Sequence, residues 1–295
     1  MKSILALALL SLAFCNIFNG ELNDYLKVHA PFEVYEPEEN PFRDYTEEEI
    51  KALLTDEEVY PELEEEEESE PTFGDLPESY DFRTNNPECA AAIKNQASCG
   101  SCWAFAGSTA LAMRFCVASK GATNVVLSPQ DSVSCDKNNS GCNGGNRLRT
   151  WQYYESTGIV TEECFPYSSG KGTVEACITE CKNGDPWKKY KVTGAKAISG
   201  VNTIKELLLA DGPIHTGFTV YQDFMQYKSG IYQHVSGSSL GGHAVVILGW
   251  GSEDGVDYWI IQNSWGATWG ENGYFRIKMG DCGIDSYAVV GNPVL

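Results

Sequence analysis

The segment QASCGSCWAF, residues 96–105, contains a cysteine whose neighbours would make it a nucleophile. Ser101 is a good helix N-cap, and the apolar run 103–117 predicts a buried helix that begins at Cys102. The positive end of a helix dipole favours the thiolate over the thiol at that position. The side-chain amide of Gln96 can donate a hydrogen bond to an oxyanion that develops on a bound substrate. These features predict an enzyme.

A thiolate nucleophile needs a base that is near in space, and His243 in GGHAVVILGWG, 141 residues after Cys102, is the candidate. Taken alone, a histidine that enters a buried strand is a satisfied core residue. Asn263 in QNSWG would, taken alone, be a turn residue, but its carbonyl oxygen can hold an imidazole in the productive tautomer. The ring of Trp265 would shield that hydrogen bond from water. Together these residues favour a catalytic site.

The elements that must position this site change type along the chain. Ser128 followed by proline begins one helix, and the run 147–155 predicts another that ends at Gly158. Thr203 and Glu206 form the pattern of a capping box before a short helix. Beyond residue 212, β-branched and aromatic segments predict strands at 244–250, 258–262, 274–278 and 287–290. A helical lobe followed by a β lobe predicts a cleft between the two.

Charge divides the chain unevenly. Residues 21–75, called the leader from here on, contain 21 acidic and 3 basic residues, a net charge of −18, whereas residues 76–295 contain 20 and 17, a net charge of −3. This negative charge argues against nucleic-acid binding by the first quarter of the chain. Its acidic run from Glu62 to Glu70 indicates an extended, hydrated linker, either a plain spacer or a processing junction. Residues 1–20 have the pattern of a secretory signal peptide.

Four separated motifs, QASCGSCWAF, SGCNGG, GGHAVVILGWG and QNSWGATWGENGYF, resemble those of the papain-like cysteine proteases, in the cathepsin B-like branch. The resemblance covers residues 76–295. It implies an α+β fold of two lobes, a helical left lobe at 90–195 and a β-barrel-like right lobe at 196–290, with the active site between them. It also implies a monomer that hydrolyses peptide bonds without a metal or other cofactor, with its own pro-segment as inhibitor and no nucleic-acid partner.

The resemblance assigns roles to matching positions. Cys102 would be the nucleophile and His243 the general acid and base, while Asn263 would orient the imidazole. Gln96 would hold the oxyanion together with the backbone amide of the nucleophile. The remaining matches are expected to bind substrate: Gly144 and Gly145 at the cleft edge, Trp265 on the leaving-group side, and Ala244 and Tyr287 in the pocket for the second side chain before the scissile bond.

Of the eleven cysteines, ten remain after signal removal, so a free Cys102 requires a second unpaired thiol. The family pattern leaves Cys282 as that thiol. A cysteine-rich secreted domain belongs in an oxidising compartment. The disulfides that the resemblance implies are Cys89–Cys116, Cys99–Cys142, Cys135–Cys177 and Cys164–Cys181.

Two departures from the cathepsin B pattern lead to expectations about specificity. Only 16 residues separate Cys164 from Cys181 and none is a histidine, so we expect the occluding loop to be missing and the enzyme to be an endopeptidase. Tyr287 stands where the branch often has an acidic residue, which favours bulky apolar side chains at that subsite.

The leader itself carries a capping-box pattern at 46–54 and is expected to cover the cleft until acid loosens it by protonating carboxylates. The expected destination is a lysosome-like vacuole or the extracellular space, and Asn138 is a glycosylation sequon.

Other functions remain open from the sequence. The spacing of Cys99 and Cys102 is also that of a redox dithiol, so a thiol-disulfide oxidoreductase is the main alternative. The lack of an alternating βαβ pattern argues against it. A non-catalytic peptide-binding relative is a second alternative, and a peptide ligase on the same scaffold is a third.

Overall fold

The computed structural model describes residues 20–56 and 76–295. The predicted signal peptide up to residue 19 and the acidic run from Glu62 to Glu70 lie outside the described residues. Among those described, no helix combines the length and apolar character needed to cross a membrane.

Five of the described helices form where caps and apolar runs predict them, whereas Gly20–His29 and Phe82–Asn85 were not expected from the sequence, and two of the expected caps differ in the structure. The central helix is buried along nearly its whole length and begins at Cys102, as expected. Ser101 precedes it but makes no side-chain capping bond, because its hydroxyl pairs with that of Tyr167 instead, at 3.0 Å. The expected capping box at Thr203 is wrong, because that helix begins two residues earlier, after Gly200. The helices are α1 (Gly20–His29), α2 (Glu47–Leu53), α3 (Phe82–Asn85), α4 (Cys102–Ala118), α5 (Pro129–Cys135), α6 (Arg147–Ser156) and α7 (Val201–Asp211).

Nine strands of the described part of the chain form one sheet, seven of them from the second half of the chain and two from the first. The strands are β1 (Phe32–Val34), β2 (Tyr80–Asp81), β3 (Val192–Ile198), β4 (Ile214–Tyr221), β5 (Tyr227–Tyr232), β6 (Ser239–Glu253), β7 (Val256–Gln262), β8 (Tyr274–Lys278) and β9 (Ala288–Pro293).

The sheet is open, which corrects the expectation of a barrel-like right lobe. Its strand order is β1-β5-β8-β7-β6-β4-β9-β3, with β2 paired to β6. Closure would require the edge strands β1 and β3 to pair with each other, but β1 pairs only with β5 and β3 only with β9. The fold is otherwise the expected papain-like mixture of helices and sheet.

Strand β6 separates two hydrophobic cores. Ala244, Val246 and Leu248 belong to the core that contains α4, whereas Val245 and Ile247 belong to the core of the sheet. Alternate side chains of a strand point to opposite faces, so a continuously apolar strand is buried on both sides. This packing fixes α4, and with it Cys102, against the strand that carries His243.

The leader packs as an integral part of the sheet core. β1 adds an antiparallel edge strand next to β5, pairing Phe32 with Gly230. Ile50 and Leu53 of α2 are buried in the same core. The Thr46 side chain and Glu49 form the expected capping box at the start of α2. Docking therefore buries apolar leader surface, although the leader is the most acidic part of the chain.

The four disulfides implied by the family resemblance are present, each with a sulfur–sulfur distance of 2.01–2.07 Å. Cys102 and Cys282 are the free cysteines among the described residues.

Phe42→Ala should loosen the leader. The Phe42 ring is 6% exposed and packs edge-on against Trp265, with 5.0 Å between ring centroids. Truncating a buried phenylalanine costs about 3 kcal/mol, so the undocked population should rise about a hundredfold. The rate at which an added protease removes the leader measures this population. Val28→Ala, in the leader but 76% exposed, is the matched control and should change nothing. Equal removal rates for both variants would contradict the prediction.

Candidate active site

Cys102 is the first residue of α4 and is fully buried. Its sequence neighbour Cys99 is bonded to Cys142, so the CGSC segment holds one free thiol and no redox dithiol. The helix dipole presents its positive end to that thiol. The same disulfide ties the segment before α4 to the CNGG loop on the cleft edge.

The tautomer of His243 follows from the hydrogen bonds of Asn263. The backbone N–H of Ser264 donates to Oδ1 of Asn263 at 2.8 Å, which identifies that atom as the oxygen. Oδ1 lies 2.7 Å from Nε2 of His243, so Nε2 must carry the proton. Nδ1 is therefore the bare nitrogen, and among the described residues it has no hydrogen-bond partner. It is available to take a proton from a thiol.

Two aromatic rings enclose this imidazole. Trp265 stacks on it with 4.6 Å between ring centroids, and Phe218 approaches edge-on at 6.1 Å. Trp265 is only 7% exposed, so it excludes water from the bond between His243 and Asn263. This is the arrangement that the sequence led us to expect for Trp265.

Ser264 connects the two halves of the site, and the sequence analysis missed it. Its hydroxyl donates to Oε1 of Gln96 at 2.7 Å, and its carbonyl accepts from the backbone N–H of Gln96 at 2.9 Å. Its own N–H fixes Asn263, as described above. A small hydroxyl residue inside the QNSWG motif was the available signal. Ser264 therefore positions the amide and, through Asn263, the imidazole.

Tyr167 is a second positioning residue that the sequence analysis missed. Its hydroxyl donates to the backbone carbonyl of Gln96 at 2.9 Å and pairs with the Ser101 hydroxyl. It thus joins Ser101, the residue before Cys102, to Gln96.

The leader passes directly over these groups. Nε2 of Gln96 donates to the carbonyl of Leu53 at 3.2 Å, so a leader carbonyl occupies the place expected for a substrate oxyanion. Gly145 N–H donates to the Thr55 carbonyl, and Asp56 N–H donates to the Gly242 carbonyl, both at 3.1 Å. The leader backbone therefore pairs with both edges of the cleft.

Glycine is required where the leader touches the cleft edges. A Cβ on Gly144 would lie 2.6 Å from the Thr55 carbonyl oxygen, and one on Gly241 would lie 2.6 Å from that of Leu54. Both glycines also have positive φ, at +117° and +146°. The lack of side chains at these two glycines allows an extended backbone to bind close to the cleft edges.

Burial under the leader holds both reactive groups in neutral forms. It raises the pKa of the Cys102 thiol to about 12, helped by the nearby negative charge of Asp56 and opposed by backbone N–H groups of Ala244, Thr55 and Trp103. It lowers the pKa of His243 from 6.5 to about 4, although the bond to Asn263 opposes this shift. The covered site therefore holds a thiol and an imidazole, not an ion pair.

The pocket that was expected to bind a substrate side chain lies beside the glycine-lined cleft edge. Ala244 and Tyr287 are both buried and belong to the core that contains α4. The guanidinium of Arg147 lies 4.9 Å from the centroid of the Tyr287 ring, and its Nε lies 3.3 Å from Oδ2 of Asp56. The sequence analysis read residue 147 only as the start of a helix. Its position directly after CNGG and Asn146 was the signal that it borders the cleft.

Known proteins match both the sequence and the fold. A family model described as "Papain family cysteine protease" matches residues 76–292. The chain belongs to that family. "Cathepsin B-like CP3" of Giardia intestinalis is 45% identical over 223 residues, covering 73% of this chain and 74% of that protein. "Cathepsin B" of Dictyostelium discoideum is 37% identical over 235 residues, covering 74% and 75%.

Solved structures of other proteins have the same fold. "proCathepsin B S9 from Trypanosoma congolense" has a TM-score of 0.85 with 28% identity, and the match covers 95% of this chain and 100% of that one. The protein is thus a cathepsin B-like cysteine protease made as a zymogen, and the thiol-disulfide oxidoreductase alternative finds no support.

Ser264→Ala should lower peptide hydrolysis about tenfold. The variant loses the hydroxyl that fixes the Gln96 amide while keeping the backbone bond to Asn263. One hydrogen bond contributes about 1.4 kcal/mol, and the loss should fall on kcat because the oxyanion exists only in the transition state. Steady-state kinetics with a fluorogenic peptide measures it. Ser252→Ala, at an exposed position on β6, is the control. A rise in KM at unchanged kcat would argue against a positioning role.

Proposed function

We propose that the mature protein is an endopeptidase that cleaves peptide bonds through a thioester on Cys102. The observation that carries the proposal is the pairing of a bare Nδ1 on His243 with an oriented amide on Gln96, which in the zymogen holds the Leu53 carbonyl. This contact supports the proposal that a substrate carbonyl binds at the same amide.

The chemistry follows from these groups once the leader departs. The Cys102 thiol gives its proton to Nδ1 of His243, and the thiolate attacks the peptide carbonyl carbon. The Gln96 amide and the backbone N–H of Cys102 hold the oxyanion. The imidazolium then protonates the leaving amine, and water activated by the same imidazole hydrolyses the thioester. Asn263 keeps the ring in the tautomer that both proton transfers need.

Endopeptidase activity is supported by the short segment between Cys164 and Cys181. Its Gly170 carbonyl accepts from the Ser98 N–H at 2.9 Å, so the segment lies against the loop that carries Gln96. It contains no histidine that could capture the terminal carboxylate of a substrate. We propose that the cleft is open at this end.

The proposed activity requires Cys102 and predicts indifference to a free C-terminus. Mature enzyme should cleave an internal bond of an amidated peptide at least as fast as that of the same peptide with a free carboxylate, as judged by mass spectrometry. Cys102→Ser should abolish cleavage of both. Faster cleavage of the free acid, with release of terminal dipeptides, would contradict an open cleft.

Acid should weaken leader binding through His243. Burial lowers the pKa of His243 from its ordinary value of 6.5 to about 4. We infer that leader removal returns this pKa towards the ordinary value, so that the uncovered site binds a proton in this range that the covered site does not. Neutral His243 therefore stabilises the covered form above pH 6.5, and this stabilisation is lost as the pH falls towards 4. The dissociation constant of a peptide spanning residues 20–56 should rise by up to about tenfold per pH unit.

Calorimetry between pH 6.5 and 4.5 measures this constant on the mature domain of the Cys102→Ser variant, released with an added protease. The window stops where carboxylic acids ordinarily begin to titrate. Adding His243→Gln should flatten the profile, and an equally steep profile in both variants would contradict the role of His243.

We also propose that processing removes the leader near Leu76, and that the signal peptide directs the protein into the secretory pathway, towards a lysosome-like vacuole or the exterior. The disulfides fit an oxidising compartment.

A further inference from the structure

We propose that the pocket beside Gly145 selects an acidic side chain at the second residue before the scissile bond, and that Arg147 is the residue that recognises it. This inference rests on the proposed endopeptidase function and names the substrate class of that site.

The leader already places a carboxylate in this pocket. The side chains of Asp56 and Arg147 are 1% and 2% exposed, and Oδ2 lies 3.3 Å from Nε. Burying two charges is costly unless they neutralise each other, so the pocket is built around an anion. Backbone pairing fixes the position of this side chain, because Asp56 N–H binds Gly242 and Thr55 binds Gly145 on the opposite edge.

The pocket walls hold the guanidinium in place. The Tyr287 ring lies beneath it at 4.9 Å, and Gly217 has no side chain where a Cβ would collide with both Arg147 and Asp56. Arg147 is the first residue of α6, where the helix dipole disfavours a cation. Neither the start of α6 nor the Tyr287 ring provides a negative charge that could neutralise Arg147.

Removal of the leader would leave this cation without its carboxylate. Neither of the other titratable groups that face Arg147 can replace it: burial raises the pKa of the Tyr287 phenol, and His215 is held neutral. Its Nδ1 accepts from the Trp151 indole at 3.0 Å, and its pKa is lowered well below 6.5 by burial and by Arg147. A substrate carboxylate would restore the pair, with charge-assisted hydrogen bonds to a guanidinium.

This proposal replaces the expectation of bulky apolar side chains that Tyr287 alone suggested. The face of the Tyr287 ring packs on Arg147, so it supports the cation and is not an open apolar wall. A basic side chain in the substrate would meet Arg147 at close range and should bind worst.

The test compares fluorogenic peptides that differ only at the second residue before the scissile bond, with Asp, Asn, Leu or Arg there. Mature enzyme should cleave the Asp peptide with a kcat/KM at least about tenfold above its near-isosteric Asn counterpart, and also above Leu and Arg. Arg147→Gln should abolish the advantage of Asp over Asn. Arg147→Lys should keep part of the advantage.

Arg149→Gln removes the same charge from an exposed position two residues along α6 and is the matched control. It should leave the order of the four peptides unchanged. A second arm uses the full chain carrying Cys102→Ser. There Asp56→Asn should speed leader removal by an added protease, and it should have no further effect once Arg147→Gln is present.

The outcomes separate the two proposals. Preference for Leu or Arg by the unmutated enzyme, or equal rates for Asp and Asn, would overturn the acidic pocket while leaving the endopeptidase intact. Failure to cleave any of the four peptides, with Cys102 still open to alkylation, would overturn the proposed function itself. The comparison of Asp with Asn in the unmutated enzyme decides the matter even if the Arg147 variants do not fold.

Discussion

Exclusion of water from the cleft determines the protonation states of Cys102 and His243. Under the leader, Cys102 and His243 lie in a medium that disfavours charge, so the thiol keeps its proton and the imidazole stays neutral. The same two side chains need hydration and mutual proximity to form a reactive ion pair. In the covered state both groups are neutral and a leader carbonyl lies against Gln96, and these two features are enough to account for latency.

The side chains of the site are held in place because they lie on a small number of secondary-structure elements that pack against each other. Cys102 starts a helix packed on β6, His243 lies within β6, and Asn263 directly follows β7, the antiparallel neighbour of β6. Ser264 then links the end of β7 to the loop of Gln96. Each reactive group is thus held by a rigid element or by a neighbour whose own bonds are satisfied, which is the requirement for preorganised hydrogen-bond donors.

The sequence could predict what local chemistry determines. The α4 helix, the capping box of α2 and the strands around His243 are all encoded in short segments, and so are the candidate catalytic residues. The resemblance added the disulfides. What could not be predicted depends on distant partners: the open sheet edge at β1 is supplied by the leader, and Ser101 is diverted from capping by Tyr167. Arg147 looked like a helix residue because its partners, Asp56 and Tyr287, lie far away in the chain.

The leader's contacts indicate that its exposed acidic side chains, among the described residues 20–56, contribute little to its docking. Glu39 reaches Lys228 at 3.3 Å, but both side chains are largely exposed, and such pairs contribute little. The buried contacts are apolar side chains and neutral hydrogen bonds, such as that from the Asn40 amide to the Met225 carbonyl, apart from the charged pair of Asp56 and Arg147. Protonating surface carboxylates would therefore leave docking almost unchanged, and acid must act through groups that docking buries. His243 is such a group, and it loses its favoured neutral state as the pH falls.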